Sequence, residues 1–116
     1  MTAVPGVLTA VLDAFARGDL AAAAAEFAEH GVYREARKPA VRGRAAVAEH
    51  FARFAASGAA WQLLVDDVIA GGDRACVVYR FAAAGGQGAA RHERAGCALV
   101  RFDGRGQIEE WREYEG

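Results

Sequence analysis

Charge of a single sign is what this sequence has least of: fourteen lysines and arginines stand against fifteen aspartates and glutamates, a net charge of -1. A chain so balanced has no electrostatic footprint for nucleic acid or an anionic membrane surface, and neither is expected as a partner. Cysteine is equally sparse. Cys76 and Cys97 stand in separate apolar runs with no Cys-x-x-Cys spacing, which reads as two reduced, inert thiols in a cytoplasmic protein, with a cross-strand disulfide as the other reading. The histidines His30, His50 and His92 fall in three different segments without the i, i+4 pairing that suits metal ligation on a helix, so no metal is expected. His50 reads as a polar-face helix residue and His92 as a rim residue. No glycine-rich loop links a strand to a helix and no Gly-x-Ser-x-Gly elbow occurs, so no cofactor and no serine nucleophile are implied. No stretch could span a bilayer as a helix, and the mildly apolar start lacks the basic leader of a secretory signal,.

What is present is a chain of 116 residues, 53% hydrophobic, the size of one domain over residues 1–116. Much of that apolar fraction is alanine. The bulky core therefore rests on Phe15, Phe27, Phe51, Phe54, Trp61, Phe81, Phe102 and Trp111, and a core of that kind leaves room for a cavity.

Taken in order, Val7, Leu8, Val11, Leu12 and Phe15 recur at helical period and predict a helix over residues 7–16,. Arg17-Gly18-Asp19 ends it, and Asp19 caps a second helix expected over residues 20–29, closed by His30-Gly31,. A short extended piece over residues 32–35 precedes the Lys38-Pro39 break,. Val47, Phe51 and Phe54 predict a third helix over residues 44–56,. Strands follow over residues 61–70, 75–84, 91–102 and 107–114, separated by Gly-bearing turns that include Gly85-Gly86-Gln87-Gly88,. Helices first and a meander second give an α+β layout: a cone of three N-terminal helices packed on a strongly curved, mostly antiparallel sheet.

Residues 101–116, RFDGRGQIEEWREYEG, form the stretch to which the rest is fitted. Asp103-Gly104-Arg105-Gly106 makes a hairpin, and the last strand mixes Ile108, Trp111 and Tyr114 with Glu109, Glu110, Glu113 and Glu115. Ile108, Glu110, Arg112 and Tyr114 alternate with Glu109, Trp111 and Glu113. Neither face is cleanly apolar, so alternation leaves open which one looks inward. Arg80 lies among Val77, Val78, Tyr79 and Phe81, where a charge calls for a carboxylate partner, either in a site or as a structural ion pair.

The order of FARGDL at Phe15, EFAEHGVYRE at Glu26, VRGRAAVAEHF at Val41, RFDGRGQI at Arg101 and WREY at Trp111 resembles the nuclear transport factor 2-like superfamily, which includes ketosteroid isomerases, SnoaL-like polyketide cyclases and limonene epoxide hydrolases. The resemblance implies a pocket with Glu35 at the place of the isomerases' proton-moving Asp. The isomerases' oxyanion-hole Tyr and Asp fall on Val11 and Ala98, which removes that support for enolate formation. Against the epoxide hydrolases, Tyr33 and Arg80 match, Glu35 and Glu113 replace an Asn and an Asp, and Ala82 leaves the set incomplete. A catalytic group of Glu35 or Glu113 as base, Arg80 as positioning charge and Tyr33 as donor is thus implied. Trp111, Arg94, Phe15, Phe51, Phe54, Trp61 and Val78 are the expected substrate-binding residues. The ligand class is a small hydrophobic molecule, and the alternative function is a non-catalytic ligand-binding or accessory protein. A homodimer is also implied, through a convex sheet face expected to expose Val77, Tyr79, Phe81 and Leu99.

Overall fold

The computed structural model describes residues 5–84 and 91–116, without the side chains of Arg91 and His92. The Gly85–Gly88 connection and the rim position expected for His92 lie outside the described residues.

Helix α1 (Gly6–Ala16) buries Leu8, Val11, Ala14 and Phe15, the stripe that its period dictates. Gly18, at φ 74°, turns the chain in a left-handed step that glycine takes without a Cβ clash,. The Asp19 carboxylate then accepts a hydrogen bond from the Ala22 amide at 3.0 Å and caps α2 (Leu20–Ala25),. This helix is shorter than expected. Phe27, Glu29, His30 and Gly31 belong instead to strand β1 (Phe27–Arg34), because the Ile108 amide bonds the Glu26 carbonyl at 3.0 Å and starts a parallel ladder in which Phe27 faces Ile108. Alanine-rich helix propensity yields here to long-range pairing. Gly31 permits the approach, since a Cβ there would lie 2.7 Å from the Ile108 carbonyl oxygen.

A two-residue strand, β2 (Val41–Arg42), precedes α3 (Arg44–Ala56). It has no counterpart in the expected elements. Strands β3 (Ala60–Gly71), β4 (Arg74–Ala84), β5 (Arg91–Phe102) and β6 (Ile108–Glu115) follow within a residue or so of expectation. They form a six-stranded sheet of order β2-β1-β6-β5-β4-β3, antiparallel except for β1 with β6. The result is a mixed α+β fold of three helices on a curved, unclosed sheet.

Register decides which side chains meet the helices. Phe81 faces Leu63 and Arg94, Ala98 faces Val77 and Glu113, and Val100 faces Ala75 and Trp111. That inner layer packs on α1, α2 and α3 around Trp111, Phe27, Leu8, Ile108, Val11 and Val47, all fully buried. Val77 and Tyr79 are buried on this face and Phe81 packs against the same core, which corrects their expected place on the convex side. Of that set, Leu99 alone lies outward, in a row with Ile69, Cys76 and Arg112. Among the described residues no helix is long and apolar enough to cross a membrane.

Candidate functional site

Between the inner sheet face and the helices lies a cavity of about 370 Å³. Its apolar wall is a mesh of rings set edge to face: Phe15 on Trp111 at 5.6 Å, and Tyr33 on Phe51 at 4.9 Å,. Trp61 stacks on Phe81, and Phe54 closes against both. Phe54, Trp61 and Phe81 are only partly buried, because they border open space instead of other side chains.

The polar groups converge from helix α3, from β1 and the loop after it, and from strands β4, β5 and β6. Strand β6 turns Trp111, Glu113 and Glu115 inward, β1 contributes Tyr33 and ends just before Glu35, and α3 presents His50 one residue ahead of Phe51. Glu113 accepts a hydrogen bond from the Trp111 indole N–H at 3.0 Å, and the Tyr33 hydroxyl stands 3.5 Å from the same oxygen, Oε2. Burial pushes the Glu113 carboxyl up to about 7. The Trp111 bond opposes this, and the negative charges of Glu35 and Glu115 reinforce it,.

Glu35 has the opposite fate. Burial would raise it, but hydrogen bonds from His50 Nε2 at 2.8 Å and from Lys38, with Nζ at 3.2 Å, outweigh burial and hold its carboxyl below the usual range. Two glutamates in one cavity are thereby driven apart in acidity, the condition for one group to carry a proton while the other stays ionised. The Tyr33 hydroxyl is pushed well above its ordinary value by burial, with Glu113 adding to it. It therefore acts as a donor across the physiological range.

Glu115 accepts from the Tyr79 hydroxyl at 3.3 Å and lies 3.6 Å from Arg94. Burial raises the Tyr79 hydroxyl too. Arg94 also sits 4.8 Å over the Phe81 ring, so the cavity's inner cation is held between a carboxylate and an aromatic face.

Glu35, Glu113, Tyr33, Trp111, Arg94, Phe15, Phe51, Phe54 and Trp61 thus come together around the cavity. Arg80 and Val78 do not. A bulge between Val65 and Asp67 leaves Asp66 free to meet Arg80 on the outer face, where the guanidinium makes a two-pronged contact at 2.9 and 3.0 Å and stays 59% exposed. Val78, flanked by Asp67 and Cys97, points the same way. Val11 and Ala98 are fully buried in the core.

Sequence reasoning missed His50, Tyr79, Glu115, Lys38 and Leu63 as lining residues. Two of these had a readable signal: His50 completes the i, i+3, i+4, i+7 set of Val47, Phe51 and Phe54, and Glu115 continues the alternation of Trp111 and Glu113,. No group of three or more metal-ligating side chains occurs among the described residues.

No match to the sequence was found among curated proteins. Solved structures align over almost the whole chain. A hypothetical protein of Catenulispora acidiphila with a ketosteroid isomerase-like fold, in complex with trimethylamine, superposes with a TM-score of 0.82 at 19% identity, over 97% of this chain and 86% of that one. An epoxide hydrolase of M. tuberculosis, LEH-like, gives 0.82 at 20% identity, over 97% and 81%. A proposed polyketide cyclase of Xanthomonas campestris gives 0.75 at 25% identity, over 96% and 88%. The SnoaL-like domain family matches residues 8–111. With that match and the same arrangement of helices and sheet in these structures, the chain belongs to the SnoaL-like domain family and so to the nuclear transport factor 2-like superfamily.

Proposed function

We propose that this protein is an acid/base enzyme acting on a small hydrophobic substrate held in the aromatic cavity, with Glu113 as the proton-transferring group. The observation that carries this reading is the Glu113 carboxyl, buried among rings and brought to about 7. Near neutrality it is populated in both forms, so it can remove a proton from carbon or water and return one to oxygen. Tyr33, next to it and always protonated, donates a hydrogen bond to a substrate oxygen. Glu35, kept ionised by His50 and Lys38, supplies fixed negative charge that favours a developing cation and keeps Glu113 basic. Isomerisation, aldol cyclisation and hydration all fit such a set, and the folds of a polyketide cyclase and an epoxide hydrolase are consistent with them,.

The test is turnover of small hydrophobic ketones and epoxides by the wild-type protein and by Glu113→Gln. Turnover with an acidic limb near 7, lost in Glu113→Gln and kept in Arg80→Ala, supports the reading. Turnover unchanged in Glu113→Gln overturns the assignment.

A second reading rests on Val11 and Ala98: both are apolar and fully buried, so no oxyanion pair faces a substrate carbonyl from those places, and the cavity would then hold a ligand without turnover. The trimethylamine complex of the Catenulispora protein is a precedent for a small ligand in this fold. Tight binding with no chemistry in any substrate class would select it.

We further propose a single domain that is cytoplasmic and dimeric. The convex face, where Ile69 is 63%, Tyr114 48% and Leu99 41% exposed, provides the apolar area for a second copy. Sedimentation of a 12.2 kDa particle at micromolar concentration would reject the dimer.

A further inference from the structure

A second cleft, of about 610 Å³, lies at the end of β6 beneath the loop that follows β1, bordered by the cations Arg34, Arg37, Lys38 and Arg112 and by the carboxylates Glu35, Glu113 and Glu115. Its four cations outnumber its three carboxylates, whereas the chain as a whole is slightly acidic. Three separate observations mark it.

The first is register. Arg34 and Arg112 face each other across the parallel β1–β6 pair, and like charges directly opposite on neighbouring strands repel. Arg34 has neither a hydrogen bond nor an ion pair among the described residues. Its charge is therefore unanswered on that side.

The second is an orphaned donor. Arg112 gives Nη1 to the Tyr114 hydroxyl at 3.3 Å and Nη2 to Glu110 at 3.0 Å, but its Nε is buried with no partner. A buried unpaired guanidinium N–H is costly, and an acceptor oxygen beside it relieves the cost.

The third is backbone conformation. Arg37 sits at φ 62°, a left-handed position that a side-chain-bearing residue adopts at a cost,. The turn is fastened by Lys38 N–H to the Glu35 carbonyl at 3.2 Å and by the Arg37 guanidinium to the Glu115 carbonyl at 3.4 Å. The turn sets Arg37 and Lys38 at the edge of the cleft, with the Lys38 ammonium held by Glu35.

We propose that this cleft is an oxyanion site, taking a phosphate or carboxylate group between Arg34 and Arg112, with Arg37 at its edge. Guanidinium forks match both anions geometrically. Arg34 and Arg112 lie on the opposite sheet face from Trp111 and Glu113, while Glu35, Lys38, Glu113 and Glu115 border both the cleft and the aromatic cavity.

The experiment is a titration at low ionic strength in which the arginine Nε–Hε signals are followed by NMR, with inorganic phosphate in one arm and acetate in the other. Saturable movement of the Arg112 signal is expected in at least one arm, and the comparison of arms tells which anion the site prefers. Arg34→Gln should weaken that binding about tenfold, as loss of a charge-assisted contact does. Arg74→Gln, on the distant β3–β4 turn, should leave it unchanged. Movement equal to that produced by chloride at matched ionic strength, or equal in the Arg34→Gln protein, overturns the proposal. So does an Arg112 signal that answers only to protein concentration, which would mean that a carboxylate of a second copy serves this donor.

Discussion

Glu113→Gln should make the protein more stable at pH 8 while abolishing proton transfer. A carboxyl whose ordinary value is 4.5 and whose folded value is about 7 binds its proton more tightly in the folded state than in the unfolded chain. Its contribution is therefore undiminished below about 4.5 and declines as pH rises to about 7, above which the loss is complete,. The gap corresponds to about 3 kcal/mol, an order-of-magnitude figure that applies because the group is largely buried. Glu35 titrates on the acid side of this window, since its carboxyl is lowered; the charges that face Glu113 are Glu35 and Arg94 from neighbouring elements and Glu115 from its own strand. Glutamine retains an oxygen for the Trp111 N–H and never ionises. Urea unfolding followed by tryptophan fluorescence between pH 5 and 8.5 should show wild-type stability falling relative to the variant, with the difference curve inflecting near 7 and levelling off at about 2–3 kcal/mol. Parallel curves for the two proteins would refute the claim that Glu113 is ionised at a cost in the folded state.

Three more outcomes are expected. Trp111→Phe removes the indole donor to Glu113, so the carboxyl should titrate about one pH unit higher, read by carbon-detected NMR. His50→Phe removes the strongest support for ionised Glu35, and the Glu35 carboxyl should rise in the same measurement while Glu113 keeps its profile within a few tenths of a unit. Gly96→Ala would drive a Cβ into the Tyr114 carbonyl oxygen, with Glu115 Cγ only 3.0 Å away; it should cost roughly 1–3 kcal/mol in chemical denaturation and disturb the Glu115–Arg94 contact.

Much of this architecture could be read from residue order because the two periods differ so plainly. Val47, Phe51 and Phe54 cannot share a face of anything but a helix, and the β5 limits follow from turn glycine on one side and Asp103-Gly104 on the other,. The second helix failed at its C-terminal half because local propensity in an alanine run says nothing of a partner strand eighty residues away. The site was legible where two observations coincided. Tyr33, Glu35 and Trp111 came from family likeness and were placed at the cavity. Arg80 was misassigned for a reason internal to β-structure: one residue of register exchanges inside for outside, and a bulge on the neighbouring strand supplied its carboxylate on the outer face,. His50 reads from sequence as a polar-face residue of α3, yet its spacing to Val47, Phe51 and Phe54 puts it on the face that meets the cavity.

The parallel pairing of β1 with β6 has a kinetic meaning. Tyr33 and Glu113 are 80 residues apart, and the cavity's other polar groups and rings come from helices α1 and α3, the loop after β1 and strands β3 to β6. The Tyr33–Glu113–Trp111 group cannot exist in a partly folded chain in which helices and the β3–β4 hairpin have formed but β6 has not docked. Contacts of such long sequence separation form late and slowly, after the loop-closure entropy has been overcome. The surroundings of the Glu113 carboxyl are thus complete only once β6 has docked beside β1, and a chain in which β6 is undocked lacks them.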